Sequence, residues 1–269
     1  MAKKRLGQNF LVDERVAARI VAALGARSDE TVIEVGAGRG ALTARLVEQA
    51  GRVVALEFDR ELIPLLHERF AARANFTLVA GDALTVDYCA LVAPATKARV
   101  VANLPYNIST AILQRLIAAR VCLNEMVLML QREVVERIVA PPGTSERGFL
   151  SVLVEAYCAT ESLFDVAPSA FRPVPKVWST VVRLRVRERL AVAVTDEPLL
   201  WQLVSAGFAQ RRKTIFNNLR HAPAAINARI AAHGGAQTLL TATRIDPQRR
   251  AETLTLEEWA QLAEGLRAK

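Results

Sequence analysis

Asn103-Leu104-Pro105-Tyr106 is the stretch with the clearest chemistry, because few tasks need those groups in that order. Asparagine offers a side-chain carbonyl, and the peptide carbonyl of a residue before proline is held in an extended orientation. Together they can receive both hydrogens of one exocyclic amino group. The ring of Tyr106 then supplies a flat face on which a heterocycle can stack. Such a site suits the amino edge of an adenine taken out of its stack. Four residues alone are better described as a strand end turned by proline, so the rest of the chain carries the choice.

Gly36-Ala37-Gly38-Arg39-Gly40 follows a strand-like run at residues 31–35 and precedes an amphipathic stretch at 41–50. Glycines there let the backbone approach a ligand closely, and a helix N-terminus adds positive potential. Glu57, 21 residues after Gly36, ends the next strand, where a carboxylate can take both hydroxyls of a ribose. This much suits a nicotinamide dinucleotide as well as S-adenosyl-L-methionine, since residues 36–41 also satisfy the dinucleotide pattern. Two features separate them. Gly81-Asp82-Ala83 follows the third strand and places an acid where it could accept from a cofactor adenine. None of His67, His221 and His233 lies in a strand-end motif, so nothing resembles a hydride-transfer apparatus. A methyl donor is therefore expected.

The elements that must hold these groups follow from hydrophobic period. Residues 13–24, 59–70 and 109–120 have helical spacing, and strands are expected at 52–56, 76–79, 99–101 and 126–130. Alternation of this kind implies an α/β fold, a Rossmann-like doubly wound sheet, mostly parallel, with ligands at the strand carboxyl ends. Residues 150–159 and 180–186 look like late strands that finish the sheet. Near residue 187 the texture turns helical, broken at Pro223, Gly234-Gly235 and Pro247. Two domains are expected, 1–187 for methyl transfer and a small all-helical 188–269.

The chain has 269 residues, of which 52% are hydrophobic, and that excludes a mainly disordered protein. A net charge of +8 favours a polyanionic partner, and the excess is denser in residues 187–269, with twelve Lys/Arg against eight Asp/Glu. Cys89, Cys122 and Cys158 lack any zinc-type spacing, so no metal is expected, and reduced thiols in a cytoplasmic protein are the simplest account. Asp13, Glu14 and Arg15 interrupt the apolar stretch a signal peptide would need after Lys3-Lys4-Arg5, and no window is apolar for the length of a membrane span.

Further motifs are Leu6-Gly7-Gln8-Asn9-Phe10-Leu11, Leu130-Gln131-Arg132-Glu133-Val134 and Pro173-Val174-Pro175-Lys176-Val177. Gln210-Arg211-Arg212-Lys213-Thr214 and Asp246-Pro247-Gln248-Arg249-Arg250-Ala251-Glu252 complete the set. With them the chain resembles, over nearly its whole length, the bacterial small-subunit ribosomal RNA adenine N6,N6-dimethyltransferases. The resemblance implies transfer of methyl groups from S-adenosyl-L-methionine to two adjacent adenosines near the 3′ end of 16S rRNA, within the 30S subunit or its precursor. A monomer in the cytoplasm, without a membrane partner, is expected. Gln8, Asn9 and Leu11 would fold an N-terminal segment over the cofactor, with Gly36 and Gly38 near its methionine end, Glu57 on the ribose, Asp82 on the adenine and Asn103 at the methyl-transfer end.

On the acceptor side, Asn103 and the Leu104 carbonyl would receive the amino hydrogens, with Tyr106 and Phe171 on opposite faces of the base. Lys3, Lys4, Arg5, Arg147, Arg172, Arg211, Arg212 and Lys213 are the expected phosphate contacts. Trp178 departs from the family pattern, which has a small polar or acidic residue there. The first motifs are shared with the resistance-type enzymes acting on large-subunit rRNA, whereas the two C-terminal ones resemble the small-subunit enzymes. An assembly factor acting mainly by binding is the remaining alternative.

Overall fold

Runs such as Val53-Val54 and Val100-Val101 are apolar on both faces and belong in a sheet covered from both sides. In a computed structural model that describes residues 8–267, all four side chains are fully buried in that position. The chain forms two units. The first comprises the residues up to Val135 together with Cys158–Glu188, and the second comprises Glu136–Tyr157 with the residues from Arg189 onward.

The first unit carries β1 (Phe10–Leu11), α1 (Glu14–Leu24), β2 (Thr31–Val35), α2 (Thr43–Leu46), β3 (Arg52–Glu57), α3 (Leu62–Phe70) and β4 (Phe76–Ala80). It continues with α4 (Tyr88–Val92), β5 (Ala98–Asn103), α5 (Ser109–Ala118) and β6 (Leu123–Gln131), after which α6 (Arg132–Ile138) runs into the second unit. β7 (Cys158–Val166), β8 (Phe171–Arg172) and β9 (Ser179–Val186) complete it. Seven strands form one sheet in the order β4-β3-β2-β5-β6-β9-β7, parallel from β4 to β6 and antiparallel thereafter. The winding direction reverses between β2 and β5, which puts a ligand crevice outside the carboxyl ends of those strands.

Local sequence explains where elements begin and end. Asp13 caps α1 by accepting from the backbone N–H of Arg15 and Val16 at 2.8 and 3.1 Å, and Ala17, Ile20, Val21 and Leu24 turn inward. α3 starts three residues later than its period suggests, because the Asp59 carboxylate accepts from Glu61 N at 3.0 Å and holds a turn ahead of it.

Two expectations are corrected. Residues 150–159 are not a strand, since α7 (Phe149–Tyr157) occupies most of them and β7 begins only at Cys158. A short apolar run does not reveal its period. Here Ser151 decides it locally, with its hydroxyl accepting from Gly148 N at 2.9 Å and donating to the Arg137 carbonyl at 2.5 Å. The cysteines are not all separate thiols either. Cys89 and Cys122 form a disulfide with a Cα separation of 5.5 Å, while Cys158 is free and buried. A sequence separation of 33 residues gave no hint that α4 and the turn after α5 lie side by side.

The second unit is helical: α7, α8 (Glu197–Gly207), α9 (Ile215–Arg220), α10 (Ala224–Ala232), α11 (Ala236–Ala242) and α12 (Leu256–Arg267). Trp259 is its central side chain, fully buried and tilted against Phe208 at 5.8 Å. The inclusion of Glu136–Tyr157 is not announced by the change of texture near residue 187. Among the described residues no helix is long and apolar enough to cross a membrane.

Gly40 sits at φ 77°, and a Cβ there would lie 2.6 Å from the Phe70 ring and 3.3 Å from Leu66. Gly40→Ala is expected to destabilise the protein by about 2–4 kcal/mol, from left-handed strain plus overpacking. Denaturant unfolding checks this, and a loss below about 1 kcal/mol would contradict the packing described.

Candidate active site

The turn after β2 is pinned to the end of β3. Gly36 and Ala37 both donate to the Leu56 carbonyl, at 2.8 and 3.3 Å. Gly36 takes φ 74° with no atom within 4 Å of a would-be Cβ, so its backbone is open to a ligand. The Glu57 carboxylate, 5% exposed, accepts from Gly38 N at 2.7 Å through one oxygen. Its other oxygen accepts from Phe58 N at 2.9 Å and Asp59 N at 2.8 Å.

Two adjoining clefts open at this edge, with empty volumes of about 690 and 780 Å³ that include the solvent at their mouths. Gln8, Gly36, Glu57 and Pro105 border both. The second is walled by Phe58, Leu84, Ile108 and Ile112, with Asp82 at its edge, a lining suited to a flat heterocycle. Asp82 accepts from Leu84 N at 2.8 Å, and Gly81 N donates to the Glu57 carbonyl at 3.0 Å.

Asn103 ends β5 in the first cleft. Its Nδ2 donates to the Asn9 carbonyl at 3.1 Å, which turns Oδ1 to the opposite side as an acceptor. The segment that supplies Asn9 is held by Gln8 donating to Asp59 at 3.2 Å and by β1 pairing with β8, Leu11 opposite Phe171. Tyr106 is fixed at its far end by a 2.7 Å hydrogen bond between its hydroxyl and that of Ser179. Burial raises its phenol above the ordinary tyrosine range, against the opposing effect of the Ser179 bond, so the ring is neutral.

The family now follows. The sequence matches the family described as ribosomal RNA adenine dimethylase over residues 1–267. The ribosomal RNA small subunit methyltransferase A of Geobacter sulfurreducens is 43% identical over 271 residues, covering 99% of this chain and 96% of that protein. The chain belongs to the ribosomal RNA adenine dimethylase family. A dimethyladenosine transferase from Plasmodium falciparum shares the fold, with TM-score 0.79 at 24% identity over 96% of this chain and 98% of that one. The 23S rRNA methyltransferase ErmE gives TM-score 0.70 at 27% identity over 96% and 100%. The resemblance and the Rossmann-like α/β class read from the motifs are thus borne out, and this dimethylase is an S-adenosyl-L-methionine-dependent enzyme. The clefts fit that donor, since an open glycine turn, a buried carboxylate and an apolar wall adjoin.

The structure brings together Gln8, Asn9, Leu11, Gly36, Gly38, Glu57, Asn103, Leu104 and Tyr106 around the first cleft, with Asp82 in the second. Two expectations fail. Phe171 has no exposed surface and lies in the core cluster with Leu11, Val166 and Ala170, so it offers no face to a base. Arg147, 1% exposed, is spent on the Ala140 carbonyl at 3.0 Å and on Glu155 at 2.6 Å, so it is a structural cation and not a phosphate contact. Arg172, Arg211, Arg212 and Lys213 are exposed, and Lys3, Lys4 and Arg5 lie outside the described residues. Phe58 and Glu34 line the clefts without having been singled out. The position of Phe58 directly after Glu57 was the available signal.

Glu34 is 2% exposed and accepts from the Thr43 hydroxyl at 2.5 Å. Burial, reinforced by the charge of Glu57, pushes its carboxyl up to about 8, against the opposing Thr43 bond. A raised folded-state value favours the neutral acid, so its benefit is complete below the unfolded value and is lost as pH rises through about 8. Relative to Glu34→Gln, the wild type is therefore expected to lose roughly 3–5 kcal/mol of stability between about pH 5 and 8. Parallel stability profiles for the two proteins across that range would contradict the assignment.

Proposed function

We propose that this dimethylase transfers methyl groups to the exocyclic N6 of two adjacent adenosines near the 3′ end of 16S rRNA, acting on the 30S subunit or its precursor as a cytoplasmic monomer. The observation that carries the substrate choice is the 43% identity to a small subunit methyltransferase A along 99% of the chain, helical unit included. The 27% identity to ErmE gives the large-subunit alternative less support.

S-adenosyl-L-methionine, when bound, supplies an electrophilic methyl group on a sulfonium. Glu57 takes the ribose hydroxyls, Asp82 and the wall around Phe58 take the adenine ring, and the turn at Gly36 and Gly38 admits the methionine end. Gln8, Asn9 and Leu11 form one side of that pocket. On the acceptor side, the neutral ring of Tyr106 stacks on the extruded adenine, a contact worth ~1–3 kcal/mol per base. Asn103 Oδ1 and the Leu104 carbonyl receive the two amino hydrogens, which frees the nitrogen lone pair from the ring and points it at the methyl group. The proton of the resulting ammonium leaves to water. In the second round one hydrogen remains, so one acceptor suffices. Residues 188–269 hold folded rRNA or ribosomal protein, with Arg211, Arg212 and Lys213 on phosphates and Arg172 contributing from residues 1–187.

Labelled methyl transfer to 30S subunits from cells lacking the activity is expected to yield N6,N6-dimethyladenosine on nucleoside analysis. Asn103→Ala should lose at least about 100-fold in kcat, since it removes an aligned acceptor, while retaining RNA affinity. Near-normal turnover by that variant would sink the mechanism.

A further inference from the structure

The segment between β8 and β9 exposes three apolar side chains within five residues: Val174 at 56%, Val177 at 41% and Trp178 at 49%. A single exposed apolar residue needs no explanation, but a half-exposed indole beside two valines does. The segment is fixed at both ends, by β8 pairing with β1 and by Ser179 entering β9 opposite Gln131. The Trp178 carbonyl also accepts from Arg132 N at 3.0 Å. The indole therefore stands on an anchored backbone and faces solvent.

Its place in the fold indicates what it meets. Ser179, the next residue, bonds the Tyr106 hydroxyl at 2.7 Å, so Trp178 is one residue from the support of the acceptor ring. Lys176 on the same segment and Arg172 at the end of β8 are exposed cations, and the Arg132 side chain nearby pairs with Asp165 at 3.7 Å. An exposed aromatic flanked by cations is the arrangement that grips a single-stranded nucleic acid, with the ring on a base and the cations on phosphates. We propose that Trp178 is a stacking platform for an rRNA nucleobase flanking the target adenosine. This rests on the reading of Asn103 and Tyr106 as the adenine-acceptor site.

The test compares wild type, Trp178→Ala and Trp178→Phe by steady-state methylation of 30S subunits. Loss of one base stack should raise KM for the RNA substrate about 5- to 100-fold in Trp178→Ala, with kcat and S-adenosyl-L-methionine affinity unchanged and with Trp178→Phe recovering most of the loss. A wild-type KM in the alanine variant overturns the proposal. In parallel, a protein-free 16S rRNA transcript, at concentrations that saturate filter retention of the complex, should quench tryptophan fluorescence in wild type and not in Trp178→Phe. A KM defect on intact subunits without that quench also overturns it, assigning the surface to a ribosomal protein. If the wild type ignores 30S subunits and methylates protein-free 23S rRNA, the proposed substrate fails separately. The same KM comparison on 23S rRNA then decides Trp178.

Discussion

The carboxylate of Glu57 is the fixture on which the ligand end of the sheet depends. It is almost wholly buried and meets three backbone N–H groups, two from the turn that follows its own strand and one from Gly38 in the turn after β2. A buried carboxylate is tolerable only with such partners, and each charge-assisted bond is worth about 1.5–3 kcal/mol. The dependence is mutual, because without Glu57 the Gly38 amide would lose its acceptor and the turn its shape. With Gly36 and Ala37 held on the Leu56 carbonyl, two adjacent strand ends become one rigid rim. The crevice is preformed by hydrogen bonds that involve no ligand.

The same logic gives Phe171 a place. Its fully buried ring cannot meet a substrate, but it anchors β8, whose pairing carries Leu11 and hence Asn9 to the site. The Asn9 carbonyl then sets which edge of the Asn103 amide faces the cleft. Orientation of that amide thus begins in core packing on a two-residue strand, through a chain of contacts that reaches from apolar burial to a single acceptor atom.

Much of the fold was legible because a parallel sheet writes itself plainly: β2, β3 and β5 are apolar runs followed by chemistry-bearing residues. The site was legible for a related reason, since strand ends at a winding reversal converge whatever the loops do. What escaped was set by contacts remote in sequence. Arg147 looks like any surface cation until Glu155 and the Ala140 carbonyl close on it. Cys89 and Cys122 carry no signal of their proximity, and residues 149–157 have a composition that suits either period. Glu34 lies unmarked in the strand-like run at residues 31–35, and only its burial beside Thr43 distinguishes it.

That distinction bears on the chemistry. Two carboxyl groups stand at neighbouring strands of one crevice, and they are handled oppositely. Glu57 accepts from three backbone N–H groups, whereas Glu34 has the Thr43 hydroxyl as its donor and burial keeps it protonated near neutral pH. The crevice therefore does not gather two negative charges beneath a ligand. Tyr106 is likewise uncharged, and burial raises its phenol further above neutral pH. Around the proposed acceptor position, the described residues supply an amide, a peptide carbonyl and an uncharged ring. A site of that composition accelerates a reaction by fixing distances and directions, which is worth up to about 7–11 kcal/mol when reacting atoms are well aligned. On the proposed mechanism, the rigidity conferred by Glu57, β1 and β8 is then the catalytic resource itself.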